Sequence, residues 1–451
     1  MALTKASARA ELEAANAVGD PVADTLVGDL IDHQEVDGVN HLFRTINKIG
    51  PDQDLSQLPP RLAEFMKEAA APPPGWSEAD TKAAEGFFAH HHGTASMLQG
   101  TVGLIGTYLS PTGAFTLRST GRLGGVQGPG RRLSQSSRLF LDMGDANALR
   151  DGSLAATVTK VRLVHASVRQ LHKKSGVWDY AKWGEPVPQK YTVGAAFVFS
   201  TQILQAMRNL GLEVSREDAD GFVGAWHYVS HYLGTLEKWL LPKSAADAEA
   251  LWNQERDQEW AKTDDGVFMT RQAVDFYRKF LPPGIHDAFV AMVRTALTDK
   301  YADMAGLQHS LLDVAGKPLA AGNSLFTGTA SGLFGGTAKK VVGVNPYEEV
   351  IGVASKAFND VERYALTHDE DDQPQMHQEL NETAEPSRGC SSVVARSSAQ
   401  RMGGPRLLQH PSRSAGPWVT CDDVRSRGRC QWWGAHWRVA GSRTSSRTSW
   451  R

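Results

Sequence analysis

The chain has 451 residues, of which 41% are hydrophobic and 22% charged, and its formal net charge is −2. This length allows one large domain or two ordinary ones with a substantial core. The near-neutral charge points to neither nucleic acid nor an anionic membrane as a partner. The three cysteines, Cys390, Cys421 and Cys430, all lie near the C-terminus, which excludes cysteine chemistry from the remainder of the chain.

The N-terminal residues form no apolar segment of the kind found in secretory signals. The sequence also contains no run approaching the ~18 apolar residues that a transmembrane helix needs. We therefore expect a cytoplasmic protein without a transmembrane segment.

Composition divides the chain into three parts. Residues 1–75 form a polar, helical extension that ends in a proline-rich stretch, residues 76–365 form a helical domain, and residues 366–451 form an acidic and then basic tail. From Arg388 onward there are 12 Arg, no Lys and two acidic residues, so 36 basic and 48 acidic side chains precede it, a net charge of −12. The tail lacks any hydrophobic period and is predicted to be disordered. Two origins fit it, a genuine basic tail and an out-of-frame translation from about residue 387.

Helix signals begin at Ser77, which has capping-box spacing to Asp80. This helix should continue through the histidine triplet His90 to His92, and a second apolar stretch follows until Ser110-Pro111 interrupts it. Residues 112–132 are rich in glycine and basic residues and are predicted to form a loop-bearing region.

The clearest helical pattern runs from Ser153 to about Lys173. One apolar stripe recurs along it at spacings of three and four, and His165 lies on that stripe. The members of the stripe are Leu154, Val158, Val161, His165 and Val168. We expect a buried helix with a histidine on its apolar face.

Residues 190–210 are apolar nearly all round and predict one buried helix that ends at Gly211. A further helix should start near Ser215 and run past Trp239 to Pro242. Other helical patterns cover residues 246–262, 268–280 and 284–300. Because no sustained alternation of period two occurs, the sequence predicts an all-α fold.

His165 has the surroundings that a b-type haem requires. A haem pocket needs a neutral imidazole on a rigid helix, apolar walls, and cations at its edge for the propionates. Arg162 and Arg169 lie three residues before and four after His165, so both project near it. Spacing alone favours a core histidine bonded to a carbonyl group, because a buried imidazole must have some partner and nothing in the spacing makes that partner iron.

Three other patterns in the sequence resemble binding sites, two for a metal ion and one for a nucleotide, but each departs from what its ligand requires. Adjacent side chains in the triplet His90 to His92 diverge by ~100°, so at most two could meet one metal ion, and a solvated helix face is the simpler interpretation. His227 and His231 share a helix face but lack the glutamate of an HExxH zinc motif, which favours a packing role. The glycines between Gly121 and Gly130 follow no predicted strand and lack a P-loop lysine, which argues against a nucleotide.

Several blocks, in order over roughly residues 70 to 310, resemble the family of rubber oxygenases (latex clearing proteins) and MpaB oxygenases. The most specific is the sequence Arg-Leu-Val-His-Ala-Ser-Val-Arg within Val161 to Arg169. The other blocks are Pro74 to Ser77 with the Phe87-Phe88 helix, Tyr108 to Pro111 leading into Leu117 to Leu123, Arg131-Arg132, Phe199-Ser200 through Leu210-Gly211, and Trp226 to Gly234.

The resemblance implies a globin-like helical bundle around a b-type haem, with additional N- and C-terminal helices. His165 matches the proximal iron ligand, and Arg162 or Arg169 would bind the propionates. The implied reaction is the oxidation by dioxygen of an apolar, unsaturated substrate of polyisoprenoid type. On the distal side, Arg132 matches the family's arginine and Ser136 stands where the family has a threonine. Both are expected to be catalytic, as donors of hydrogen bonds to dioxygen or its reduced forms.

The distal side departs from the rubber oxygenases at two points. Gln135 stands where they have a lysine, and no Asp or Glu occurs between Gly86 and Leu141 to match their glutamate. Because the proximal side nevertheless matches the family, the first hypothesis is a haem-dependent oxygenase. Its alternatives are a non-catalytic haem-binding or sensor protein and a helical binding domain without a cofactor.

Overall fold

The structure is a computed structural model of the full chain. It describes residues 7–43, 46–50, 53–119, 136, 139–140, 142–145, 147–176, 178–309, 347, 350–356 and 358, with the side chains of 41–43 and 283 left aside. All regular elements within these ranges are helices. The predicted all-α class is thereby confirmed.

The α-helices are numbered in chain order. The first seven are α1 (Ala8–Ala15), α2 (Pro21–Asp32), α3 (Val36–Phe43), α4 (Pro60–Glu68), α5 (Glu78–Leu98), α6 (Leu104–Tyr108) and α7 (Pro111–Ser119). The next five are α8 (Ser153–Ser175), α9 (Tyr180–Trp183), α10 (Gln189–Phe199), α11 (Thr201–Asn209) and α12 (Arg216–Tyr232). The last four are α13 (Ala245–Glu259), α14 (Asp264–Arg278), α15 (His286–Leu297) and α16 (Asp299–Met304). A π-helical turn at Gln99–Gly103 joins α5 to α6.

Two compact units divide the chain, Met1–Pro386 and Ser387–Arg451. The second unit lies outside the described residues. Within the first, the N-terminal helices share one hydrophobic core with the later ones, and α2 packs along α8. The boundaries predicted at residues 75 and 365 remain predictions.

The helices α5 and α12 pack closely along their length. Ser77 caps α5 through the reciprocal bonds with Asp80 that its spacing predicts, so this helix start is confirmed. Phe87 of α5 stacks on Phe222 of α12 with ring centroids 4.2 Å apart. These aromatic contacts fix the two helices against each other.

The prediction of a single helix over residues 190–210 is wrong, because the helix is interrupted at Ser200. The backbone there turns to φ −114° and ψ −80°, which separates α10 from α11. The Ser200 hydroxyl donates a hydrogen bond of 2.6 Å to the Ala196 carbonyl, a local bond that competes with regular helix. Gly211 has φ +74°, as expected of a glycine that ends a helix.

Two further expectations need correction. The helix begun at Ser215 stops at Tyr232 instead of running to Pro242, because Gly234 takes φ +83° and turns the chain. Residues 112–119 are helical rather than loop-like. Pro111 occupies the first position of α7, where its missing N–H is not needed. The remainder of the predicted loop, residues 120–132, lies outside the described residues.

Among the described residues, none of the helices is both long and apolar enough to cross a membrane.

Candidate functional site

The helix α8 confirms the boundaries expected around His165. Glycines in left-handed conformation flank it on both sides, Gly152 with φ +80° and Gly176 with φ +66°. On the predicted stripe, Leu154 and Val158 are fully buried. His165 itself is half-buried. The helix thus presents an imidazole on a largely apolar face, at the boundary of the core.

Arg162 is held in an ion pair with Asp20, the residue that caps α2. Its Nε donates to Asp20 Oδ2 at 2.5 Å and its Nη2 donates to Asp20 Oδ1 at 2.9 Å. Gly234 backs the pair, because a Cβ built there lies 2.2 Å from Asp20 Oδ2 and 2.4 Å from Arg162 Nε. The charge of Arg162 therefore has a carboxylate partner within the protein.

Arg169 also pairs with a carboxylate of α2, but one nitrogen of its guanidinium is left without a partner among the described residues. Its Nε donates to Asp24 Oδ1 at 2.6 Å, and its Nη1 donates to the Val187 carbonyl at 2.9 Å. Burial raises the pKa of Asp24, and the charge of Arg169 opposes that rise. The side chain is 5% exposed, and its Nη2 has no hydrogen-bond partner among the described residues. A buried cation near His165 therefore keeps one donor available.

His172, seven residues after His165, lies on the same face of α8. It is 3% exposed, its ring lies 4.5 Å from that of Trp178, and its Nε2 is 3.3 Å from the Ser119 hydroxyl. Burial lowers the pKa of His172 to about 4, so the ring is neutral. This second histidine was not among the predicted site residues, although its spacing of seven from His165 places it on the same helix face.

The predicted distal residues are only partly visible. Arg132 lies outside the described residues, while Ser136 is helical and half-buried. The first acid after this segment is Asp142, whose Oδ2 accepts a hydrogen bond of 2.5 Å from the Thr157 hydroxyl of α8. That bond ties the chain just after Ser136 to the helix that carries His165.

Several buried polar atoms have no hydrogen-bond partner among the described residues. Three of them recur at helical spacing along α5 and the π-helical turn: His92 Nδ1, Ser96 Oγ and Gln99 Oε1. Thr159 Oγ1 of α8 and Trp226 Nε1 of α12 are likewise buried without a hydrogen-bond partner among the described residues. Burying such an atom unpaired costs about 1–3 kcal/mol. The interior faces of these helices therefore offer polar groups to a ligand.

An aromatic cluster surrounds part of this interior. The Phe199 ring stacks on Trp226 and also contacts Phe140, each at a centroid distance of 5.4 Å. Gln99 Nε2 donates to the Phe199 carbonyl at 3.1 Å. A Cβ built on Gly103 would lie 2.6 Å from the Phe199 ring, so glycine in the π-helical turn admits that ring. π-Helical turns are frequent at functional sites.

A cavity of about 230 Å³ opens elsewhere, between α1, α7, α10 and α13. Its walls combine the rings of Trp183, Tyr191 and Trp260 with the charged side chains of Arg9 and Glu255. None of the described residues predicted for the cofactor or for catalysis lines it. The cavity and the His165 face of α8 are thus separate features.

The other histidine patterns have structural explanations in part. His227 Nδ1 donates to the Leu241 carbonyl at 2.6 Å, and His231 Nε2 donates to the Ala71 carbonyl at 3.1 Å. Burial lowers the pKa of both rings. These bonds support the packing role inferred from the sequence. In the triplet, His90 is exposed and its two neighbours are half-buried, so a uniformly solvated face is not what the fold presents.

Comparison with known proteins supports the resemblance seen in the sequence. The profile of the ER-bound oxygenase mpaB/B'/rubber oxygenase catalytic domain matches residues 89–330. A rubber oxygenase from Streptomyces sp. (strain K30) is 29% identical over 296 residues, which cover 64% of this chain and 71% of that relative. The solved structure of latex clearing protein LCP in the closed state matches with a TM-score of 0.63 at 24% identity. That match covers 77% of this chain and 91% of the other. This structural likeness establishes the fold.

Proposed function

Because this chain belongs to the mpaB/B'/rubber oxygenase family and is therefore an oxygenase, an oxidoreductase, we propose that its activity depends on a b-type haem. We further propose that it uses dioxygen to oxidise an apolar, unsaturated substrate of polyisoprenoid type. His165 is the proposed iron ligand. Arg132 and Ser136 are the proposed hydrogen-bond donors toward oxygen, and Arg162 or Arg169 the proposed partners of the propionates.

One observation carries the haem proposal: α8 bears a half-buried imidazole and, one helical turn later, a buried guanidinium that keeps a donor available. His165 supplies the imidazole, and Arg169 Nη2 supplies the donor. A propionate needs such a cation at the haem edge. Arg169 suits this role better than Arg162, whose Nε and Nη2 are both bonded to Asp20.

The apolar walls required by haem are also present on α8. Val158 and Leu154 on the His165 stripe are fully buried, and Val168 is 7% exposed. Such walls exclude bulk water and suit both the porphyrin and a hydrocarbon substrate. When bound, haem supplies an iron that exchanges electrons with dioxygen, which side chains alone cannot do.

The distal departures favour one alternative, a non-catalytic haem-binding or sensor protein. Gln135 carries no charge, and the first acid after Gly86 in the sequence is Asp142, which already accepts a hydrogen bond from Thr157. Proton transfer on the distal side would therefore rest on other groups than in the rubber oxygenases.

The visible absorption spectrum of the purified chain tests the haem proposal. After expression with haem supplied, we expect a Soret band that is lost in His165→Ala. His172→Phe, on the same stripe, is the matched control and should keep the band. Colourless, folded wild-type protein would contradict haem binding. Oxygen consumption with an unsaturated isoprenoid then separates the oxygenase, which consumes oxygen, from the non-catalytic alternative, which does not.

A further inference from the structure

Three side chains suited to bind a metal converge between α5 and α12, apart from the proposed haem residues. They are His90 and His91 of α5 and Asp218 from the first turn of α12. His90 Nδ1 lies 3.2 Å from Asp218 Oδ1, and His91 Nε2 lies 3.5 Å from Asp218 Oδ2. One ligand atom from each of the three lies within 4.8 Å of the other two.

The two histidines converge although adjacent helical residues point ~100° apart. His90 approaches through Nδ1, the ring nitrogen closer to the backbone, whereas His91 approaches through Nε2, the more distant one. The different reach of the two nitrogens compensates for the divergence of the side chains. Asp218 comes close enough because the glycine at position 221 lets α12 approach α5, with a built Cβ only 2.1 Å from the Ala83 carbonyl oxygen.

Packing from the core side orients the partly buried members of the cluster. The His91 ring lies 5.1 Å from Phe87, which in turn stacks on Phe222. The side chain of Asp218 is 13% exposed and that of His91 is 19% exposed, whereas that of His90 is 65% exposed. The cluster therefore has a fixed inner side and one side open to solvent.

The two distances between a histidine nitrogen and Asp218 match those between the ligands of a bound transition metal, and the two nitrogens lie within 4.8 Å of each other. An ion about 2.0–2.2 Å from each nitrogen and oxygen, in tetrahedral geometry, places its ligands about 3.4 Å apart. With Asp218 Oδ2 as the common oxygen, the separations of 3.3 Å to His90 Nδ1 and 3.5 Å to His91 Nε2 lie on either side of that value. We propose that His90, His91 and Asp218 bind a divalent transition-metal ion of the zinc class, with a fourth position open to water.

An ion at this place joins α5 to α12 on the outer side of their interface. Two imidazoles and one carboxylate are ligands that zinc and its neighbours in the transition series accept. His92, the third member of the triplet, takes no part, because its ring lies against Gly144 on another side of α5. The proposal does not depend on haem, since it uses none of the residues assigned to that cofactor.

Equilibrium dialysis of the full chain against Zn²⁺, followed by elemental analysis, tests the site, with iron counted separately from zinc. We expect His90→Ala and Asp218→Asn each to bind one zinc fewer per chain than the wild type, or to bind it at least about tenfold more weakly. Zinc held elsewhere, for example by the three cysteines, is common to all variants and cancels in the comparison.

His309→Ala is the matched control, because His309 is another exposed histidine beside a carboxylate. Its side chain is 64% exposed, and its Nε2 lies 3.1 Å from Asp303 Oδ1, but it belongs to no three-ligand group among the described residues. This variant should keep the wild-type zinc content. Zinc should also raise the midpoint of thermal unfolding of the wild type and of His309→Ala, but not that of the two site variants.

Equal zinc contents with equal affinities in all four proteins would overturn the proposal, as would a wild type that binds no zinc. Because His90 is exposed, His90→Ala is expected to fold normally, and its circular dichroism without metal should equal that of the wild type. A lost zinc in a variant with an unchanged spectrum then supports the site. The outcome is independent of the Soret band, so the metal site and the haem proposal can fail separately.

Discussion

Gly221 of α12 faces the backbone carbonyl of Ala83 in α5 so closely that a Cβ built on the glycine would lie 2.1 Å from the oxygen. Gly224, three residues later on the same helix, has no heavy atom within 4 Å of a Cβ built in the same way. The two helices therefore touch backbone to backbone at one glycine and leave room at the next.

Alanine at these two positions should have opposite effects on the free energy of unfolding. Gly221→Ala should lower it by about 1–3 kcal/mol, because the methyl group forces α5 and α12 apart. Gly224→Ala should leave it unchanged or raise it by about 0.5–1 kcal/mol, since alanine is the better helix former and meets no neighbour. Urea unfolding monitored by circular dichroism checks both, and equal effects would show that the helices do not touch here.

Removing the charge of Asp20 should destabilise the fold. Asp20→Asn leaves the guanidinium of Arg162, which is 15% exposed, without its counter-charge, a loss of about 3–5 kcal/mol for a buried pair. Asp32→Asn is the control, because Asp32 pairs with Lys174 between the same two helices but is 69% exposed. That variant should unfold like the wild type. Similar unfolding midpoints for the two variants would argue against a buried pair.

The buried His172 should make the fold less stable as the pH falls. Burial lowers its pKa to about 4 from an ordinary value of 6.5, so between these values the unfolded chain binds the proton and the folded chain does not. Stability should then decline from about pH 6.5 to pH 4, with roughly 2–3 kcal/mol due to this residue. Denaturant unfolding as a function of pH should show a shallower decline for His172→Phe. An identical decline would mean that other groups cause it.

Arg169 should matter for haem through its free donor as well as its ion pair. Arg169→Met removes both, whereas Asp24→Asn breaks the pair but keeps the guanidinium. If Arg169 binds a propionate, its loss should weaken haem retention by roughly tenfold and Asp24→Asn should weaken it far less. Transfer of haem to an apoprotein acceptor measures the rate of loss. Equal rates in the two variants would indicate a purely structural arginine.

Arg132 should affect turnover rather than haem binding. In the proposed role, Arg132→Gln removes a charged donor near the reacting oxygen and should lower kcat by about 10²–10³. The Soret band should persist, because His165 is untouched. Arg118→Gln is a suitable control, since Arg118 pairs with Asp265 at the surface of α7 and α14. Oxygen uptake with an isoprenoid substrate is the measurement, and unchanged uptake in Arg132→Gln would exclude this role.

Local signals in the sequence predicted the helices that carry the candidate site. Ser77 and Asp80 mark the start of α5 because a capping box uses only neighbouring residues. The prediction of α8 follows from a local apolar stripe, which recurs at spacings of three and four from Leu154 to Val168. The break at Ser200 was not predicted, because the sequence of an apolar run is the same whether it forms one continuous helix or two helices with an interruption between them.

The partners of the site residues could not be predicted in the same way. Asp20 and Asp24 are more than 140 residues from Arg162 and Arg169, and charge pairing over that separation is decided by tertiary packing. The zinc-class site was likewise hidden, because its third ligand comes from another helix. The angle of ~100° between adjacent side chains also takes no account of which ring nitrogen, Nδ1 or Nε2, each histidine directs toward Asp218.

The ion pairs between α2 and α8 also limit how far this protein can be shortened from its N-terminus. The family profile begins at residue 89, yet the carboxylates that neutralise Arg162 and Arg169 stand at positions 20 and 24, well upstream of it. A fragment trimmed to the shared catalytic segment would carry two uncompensated cations on the helix of His165. A chimera that exchanges this segment with a relative should therefore transplant α2 together with α8, because α2 carries the carboxylates that neutralise the two arginines of α8.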